Sequence, residues 1–229
     1  MAFYRSDPRM NSRLRELLDQ FAKKGRQGLH KSIAISWIRY DKPKPNPGSG
    51  IGACWSEKKC FYPASVVKLF YAVAAEAWLQ KNLLTDSEEL RRALNDMLKD
   101  SSNDATSLVV DLLSGTTSGP SMRGENWEVW QKQRQIINEW LKSFNWPELE
   151  KVNCCQKTWG DGPYGREKDF YREGNTNRNA LSTSSTARIM EAVMTNGIVS
   201  PPACKRLRTL LERSLILTDR QSDPENQID

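Results

Sequence analysis

Histidine is almost absent from this 229-residue chain: His30 is the only one. A Ser-His-Asp or Cys-His mechanism would have to run through that residue. There is no Gly-x-Ser-x-Gly elbow, no Walker loop and no Gly-x-Gly-x-x-Gly run. The usual signatures of α/β-hydrolases, P-loop NTPases and dinucleotide-binding enzymes are therefore missing. No Cys-x-x-Cys pair or mixed cysteine and histidine spacing points to a metal, so neither a metal nor another cofactor is expected. No apolar run approaches the length of a membrane span. The opening residues, Met-Ala-Phe-Tyr-Arg-Ser-Asp-Pro-Arg, hold no apolar stretch long enough for a signal peptide. The expectation is a cytoplasmic protein with no membrane partner. Its five cysteines (Cys54, Cys60, Cys154, Cys155 and Cys204) are odd in number, and the adjacent Cys154 and Cys155 suit each other poorly. Reduced structural thiols are expected, in keeping with a cytoplasm.

What is present argues for a packed, soluble fold. Eight Trp, six Tyr and six Phe are more aromatics than a disordered chain carries. The net charge of +6 raises the question of nucleic acid. The basic residues are interleaved with acidic ones, however: Arg5, Arg13 and Arg15 with Asp7, Glu16 and Asp19, and Lys205, Arg206 and Arg208 with Glu212. Such patterns mark solvated helix faces, and nucleic acid is not an expected partner.

The chain reads as one domain spanning residues 1–229. Leu14, Leu17, Leu18 and Phe21 place a helix over 11–24, with Gly25 as its stop. Ile33, Ile35 and Trp37 alternate in a strand over 32–40. The loop Lys-Pro-Lys-Pro-Asn-Pro-Gly-Ser-Gly leads to a second strand over 51–55, and the two make a hairpin. Helices follow over 65–81, from a capping box at Thr85 and Glu88 to about Lys99, and over 102–113 and 126–144. Residues 157–181, rich in Gly and Asn, read as a long loop with a functional air. Helices return over 184–195 and 202–214. The class is α+β, but two strands are too few for so many amphipathic helices.

Without a usable histidine, lysine is the obvious base for nucleophilic chemistry. Ser65 and Lys68, in Phe-Tyr-Pro-Ala-Ser-Val-Val-Lys, sit at i and i+3, one helix face apart. Pro63 marks the helix start, which puts Ser65 in a first turn whose free N–H groups favour an oxyanion. A buried Lys68 gives up its proton more readily, because desolvation disfavours the charged form. A bare Ser-x-x-Lys is common, and Ser56 with Lys59 makes another in a polar stretch. The apolar helix behind Ser65 sets the first pair apart; a lysine inside it either serves chemistry or snorkels to the surface. A second element, Ser101-Ser102-Asn103, stands at a loop-to-helix turn, where simple capping is the plain alternative.

Together the Ser-x-x-Lys helix, the Ser-x-Asn turn, the long loop and the Leu-Ser-Thr-Ser-Ser-Thr-Ala-Arg helix start resemble the class A β-lactamase and penicillin-binding-protein superfamily. The resemblance runs from the first helix to about residue 229, and it is nearest to those relatives that lack a secretion signal. It implies a β-lactamase/transpeptidase-like fold, a helical subdomain against part of an antiparallel sheet. It implies Ser65 as nucleophile, Lys68 as its proton partner, Ser101 as relay to the leaving nitrogen and Asn103 as a ligand for the substrate amide.

Two family elements are missing. A Lys-Thr-Gly-type motif is absent; Lys157-Thr158-Trp159 lies too early and ends on a bulky residue. The expectation is a C-terminally shortened member, from a truncated gene or a partial chain, that has lost about 3–4 kcal/mol of transition-state stabilisation with one oxyanion donor. The Glu-x-x-Leu-Asn of the omega loop is also absent; Glu167 lies at a plausible spacing, although Arg166 and Lys168 beside it suit a solvated loop carboxylate equally. The reading that follows is a serine hydrolase acting on an amide, ester or β-lactam. A penicillin-binding-protein-like carboxypeptidase or esterase, a glutaminase-like amidase, or an inactive binding protein are the alternatives. Oligomeric state is not legible.

Overall fold

The computed structural model describes residues 2–214 and 216. Its elements are β1 (Tyr4–Ser6), α1 (Pro8–Lys23), α2 (Leu29–Ser32), β2 (Ile35–Arg39), β3 (Gly50–Trp55), α3 (Val67–Gln80), α4 (Glu88–Lys99), α5 (Asn103–Ser114), α6 (Glu125–Arg134), α7 (Ile136–Lys142), α8 (Gly165–Tyr171), α9 (Thr183–Met194) and α10 (Pro201–Leu211). The class is α+β.

The sheet is larger than the expected hairpin. β3 lies in the middle, antiparallel to β2 (Ile35 opposite Trp55) and parallel to β1 (Tyr4 opposite Gly50). Three residues with no apolar alternation gave β1 no signal. Gly52 permits this crowding, since a Cβ there would stand 2.5 Å from the Trp37 carbonyl oxygen and 3.1 Å from the Tyr4 ring. Asp7 caps α1 by accepting from the Met10 N–H at 2.7 Å, and Pro8 begins it. Leu14 and Leu18 of α1 then bury against Ala53, Ile33 and Ile35. Trp37, expected on the same face, is 40 % exposed: the cluster takes Ile33 and Ile35 and stops short of it. The opposite face of β2 meets α9, where the Ser36 and Thr183 hydroxyls bond at 2.9 Å. β2 is an edge strand.

The main core surrounds α3. Every residue from Val67 to Trp78 is buried, so this helix has no solvent face. α4, α5 and α10 pack around it. Two charged residues lie within that run, Lys68 and Glu76. Glu76 is held by Arg91 at 2.7 Å and Arg206 at 2.5 Å. Other boundaries shift for local reasons. Ser87, not Thr85, caps α4, accepting from the Leu90 N–H at 3.2 Å. The span 126–144 is two helices, because the Gln135 N–H is shared between Gln131 and Lys132 carbonyls and the chain turns Arg134 inward there. The long loop contains α8, a helix whose Glu167, Phe170 and Tyr171 are buried.

Asparagine amides organise this loop. Asn179 Oδ1 accepts from the Cys155 and Gln156 N–H groups at 3.0 and 2.9 Å and from the Tyr71 hydroxyl at 3.3 Å. Its Nδ2 donates to the Gln156 carbonyl at 2.8 Å. Ala180 pairs with Asn153, and Leu181 with Phe61, through reciprocal backbone bonds of 2.9–3.0 Å. The end of the loop is thereby tied to α3 and to the segment leading into Ser65. Asn179→Ala leaves buried backbone groups unpaired, at about 1–3 kcal/mol for the first of them. Urea unfolding of that variant should show a loss of about 2–4 kcal/mol; a change under about 0.5 kcal/mol would assign the loop's order to something else.

Candidate active site

A short 3-10 turn, Ala64–Val66, delivers Ser65 to the start of α3. Ala64 adopts φ +45°, a left-handed conformation unusual for alanine, and the turn leaves Ser65 exposed. Two residues into α3 the chain is already buried, and Lys68 is 2 % exposed. Its side chain leaves the core toward the turn between α4 and α5.

That turn is built to receive it. The Ser102 N–H closes on the Asp96 carbonyl at 3.0 Å. Ser102 Oγ then caps α5, accepting from the Ala105 N–H at 3.1 Å. Capping thus falls to Ser102 alone and leaves its two neighbours free. Ser101 takes φ +55°, which turns its carbonyl and hydroxyl together toward Lys68. Lys68 Nζ donates to the Ser101 carbonyl, to Ser101 Oγ at 3.0 Å and to Asn103 Oδ1 at 3.0 Å. Ser101 Oγ stands 2.8 Å from Ser65 Oγ. The four residues singled out by sequence are therefore one connected cluster. The route from Ser65 to Lys68 differs from a direct helical i, i+3 contact, because it passes through the Ser101 hydroxyl.

The electrostatics follow from burial. No carboxylate pairs with Lys68 among the described residues. Desolvation pulls its ammonium down from 10.5 to about 8. A lysine poised there is partly neutral near physiological pH and can accept a proton. The Asn103 amide NH2 has no partner within the described residues.

Glu167 is not brought to this cluster. Its side chain is fully buried, with Oε1 accepting from Ser118 Oγ at 2.8 Å and from Arg134 Nη2, and with Lys157 Nζ at 3.7 Å. Lys157, the third-motif look-alike, is spent in the same place, 2.6 Å from Asp111 and 2.7 Å from Ser118. Two cations and two carboxylates thus close a buried ion cluster that holds α8 and the loop against α5 and α6. Reading the sequence for chemistry missed Arg134 and Asp111. A signal existed: Trp130, Arg134, Ile137 and Leu141 form an apolar stripe at helical spacing, with one arginine in it.

Comparison of the chain with protein-family models, with curated proteins and with solved structures finds no match.

The ion cluster makes a separable prediction. Glu167→Gln removes one charge of a buried, hydrogen-bonded set, which costs about 3–5 kcal/mol when the partners stay charged. Denaturant unfolding should show that loss, while NMR signals of the Ser65, Lys68, Ser101 and Asn103 cluster in the folded variant stay at their wild-type positions. Shifts centred on that cluster in folded Glu167→Gln would couple the carboxylate to it instead.

Proposed function

We propose that this protein is a serine hydrolase of the β-lactamase-like class, forming an acyl-enzyme at Ser65 with an amide or ester. The observation that carries the reading is the contact chain of Ser65 Oγ, Ser101 Oγ and Lys68 Nζ, with steps of 2.8 and 3.0 Å and a buried lysine at its end.

Neutral Lys68 takes a proton from the Ser101 hydroxyl as Ser101 takes one from Ser65. Hydroxyl protons rotate freely enough to reverse the ground-state direction of that bond. The Ser65 oxygen attacks the substrate carbonyl carbon, and the carbonyl electron pair moves onto oxygen to give a tetrahedral oxyanion. The Ser65 N–H, in the turn before α3, is a backbone donor offered to it. Collapse breaks the bond to the leaving nitrogen or oxygen. Ser101 protonates that atom and is itself reprotonated by the Lys68 ammonium, so the relay returns to its starting state. Asn103 holds Lys68 through Oδ1 and offers its amide NH2 to a substrate carbonyl.

Hydrolysis of the acyl-enzyme needs a base for water. Glu167 is engaged by Arg134, Ser118 and Lys157. The reading therefore includes slow deacylation and an adduct that accumulates. β-Lactam hydrolysis is the family label, and soluble esters or amides fit the same residues. An inactive binding protein is the competing reading, favoured by the engagement of Glu167 away from Ser65.

Incubation with a fluorescent penicillin or a fluorophosphonate, followed by intact-mass spectrometry, decides between them. The expected result is one adduct per chain on Ser65, absent in Ser65→Ala. Because Lys68 must be neutral to act, and its proton leaves at about 8, the labelling rate should climb with pH and level off above that value. Lys68→Ala should slow labelling by about 10²–10⁴-fold, the usual contribution of a general base. No adduct on wild-type protein, or equal labelling of Ser65→Ala, refutes the assignment.

A further inference from the structure

The contact between Ser65 and Ser101 is built from both ends on backbone of positive φ. Ser101 has φ +55°, and Ala64, the residue before Ser65, has φ +45°. In an L-residue this region brings Cβ against the following carbonyl oxygen. Asparagine offsets the strain by local hydrogen bonds of its short side chain. Among the described residues it fills four of the nine non-glycine positions with positive φ: Asn82, Asn145, Asn175 and Asn196. Alanine has no such group, so the conformation of Ala64 is imposed by its surroundings.

Two fixed points impose it. On one side Phe61 exchanges both backbone bonds with Leu181, at 2.9 and 3.0 Å. On the other, Val67 is fully buried at the start of α3. Residues 62–66 must cross between them. Pro63 restricts the approach at φ −86°, and its carbonyl accepts from the Val66 N–H at 3.0 Å, closing the turn around Ala64 and Ser65. Of these residues Ala64 is the one with positive φ. It is exposed, so no packing of its methyl group accounts for the strain.

From this arrangement we infer that Ala64 is a positioning residue: its strained backbone holds the Ser65 hydroxyl against Ser101, and the fold gives up stability to keep it there. The inference rests on the acyl-enzyme reading and adds to it the residue that orients the nucleophile. An L-alanine has few other conformations that still join Phe61 to Val67, which keeps Ser65 Oγ at 2.8 Å from Ser101 Oγ. Glycine takes the same φ without a Cβ clash, but it also reaches conformations closed to alanine. The turn would then be more relaxed and less defined, and a hydroxyl that wanders from its relay reacts less often.

The test compares variants of the full chain by fluorophosphonate labelling with intact-mass readout, and by urea unfolding. Ala64→Gly should label about three- to tenfold more slowly at saturating reagent, with an unchanged half-saturating concentration and a stability equal to or above that of wild type. Its rate should still level off above a pH of about 8, because Lys68 and its acceptors are untouched. Ala64→Asn, which accepts positive φ without glycine's freedom, should keep at least about half of the wild-type rate. Asn82→Gly is the control: Asn82 has φ +55° just past the other end of α3 and is exposed, so the same exchange there should leave labelling unchanged. A role in folding alone would move stability and not the rate per folded molecule. Labelling of Ala64→Gly at the wild-type rate, a loss of stability in that variant, or an Ala64→Asn as slow as Ala64→Gly overturns the inference while leaving the nucleophile in place. A wild-type protein that does not label at all refutes the acyl-enzyme reading itself.

Discussion

An ammonium group drawn into a protein interior without a carboxylate must find an acceptor for each of its three protons or give one up. Lys68 meets that condition at one turn, where the Ser101 carbonyl, the Ser101 hydroxyl and the Asn103 amide oxygen surround it. The acceptors are neutral, so they relieve burial without cancelling it, and the lysine's proton is held loosely. The left-handed backbone at Ser101, the division of labour that leaves capping to Ser102, and the burial of α3 on all sides are conditions for this arrangement. Replacing any neutral acceptor with a carboxylate would turn a proton acceptor into half of a salt bridge.

Glu76, on the same helix, shows the contrast. It is equally buried but meets two arginines, and it serves packing between α3, α4 and α10. The Arg134–Glu167–Lys157–Asp111 set does the same for the long loop. Buried Glu191 is likewise held by Arg188 at 2.7 Å, so among the described residues four buried charges or charge clusters divide into three that are compensated and one that is not. The uncompensated one stands beside an exposed serine, and a perturbed group with a partner in reach is a candidate for chemistry.

Much of this was legible from the chain alone, and the limits are physical. Ser65 and Lys68 could be proposed because residue types at fixed spacing on a helix imply proximity, whereas Ser101 and Asn103 were reached only through the resemblance of their Ser-x-Asn turn to a known motif set. Long amphipathic helices were likewise readable, since α1, α4 and α9 repeat their apolar residues at helical spacing. The strand β1 was not, because three residues carry too little pattern and their pairing with β3 depends on Gly52, some 46 positions away. α8 was hidden by its seven-residue length and by the glycines around it. The fate of Glu167 was illegible for a different reason: spacing cannot tell a carboxylate that faces a nucleophile from one that faces an arginine on another helix. Ser101's place between Ser65 and Lys68 likewise depended on a backbone conformation that no periodicity encodes.

The proposed relay depends on Lys68 being desolvated and without a counter-charge. Its titration can be followed directly by NMR of a selectively ¹³Cε-lysine-labelled protein, with Lys68→Arg used to assign the resonance. A midpoint near 8 is expected. A midpoint at the ordinary lysine value of 10.5, or above it, would mean that Lys68 is fully charged wherever the protein works, and the relay to Ser65 would have no base.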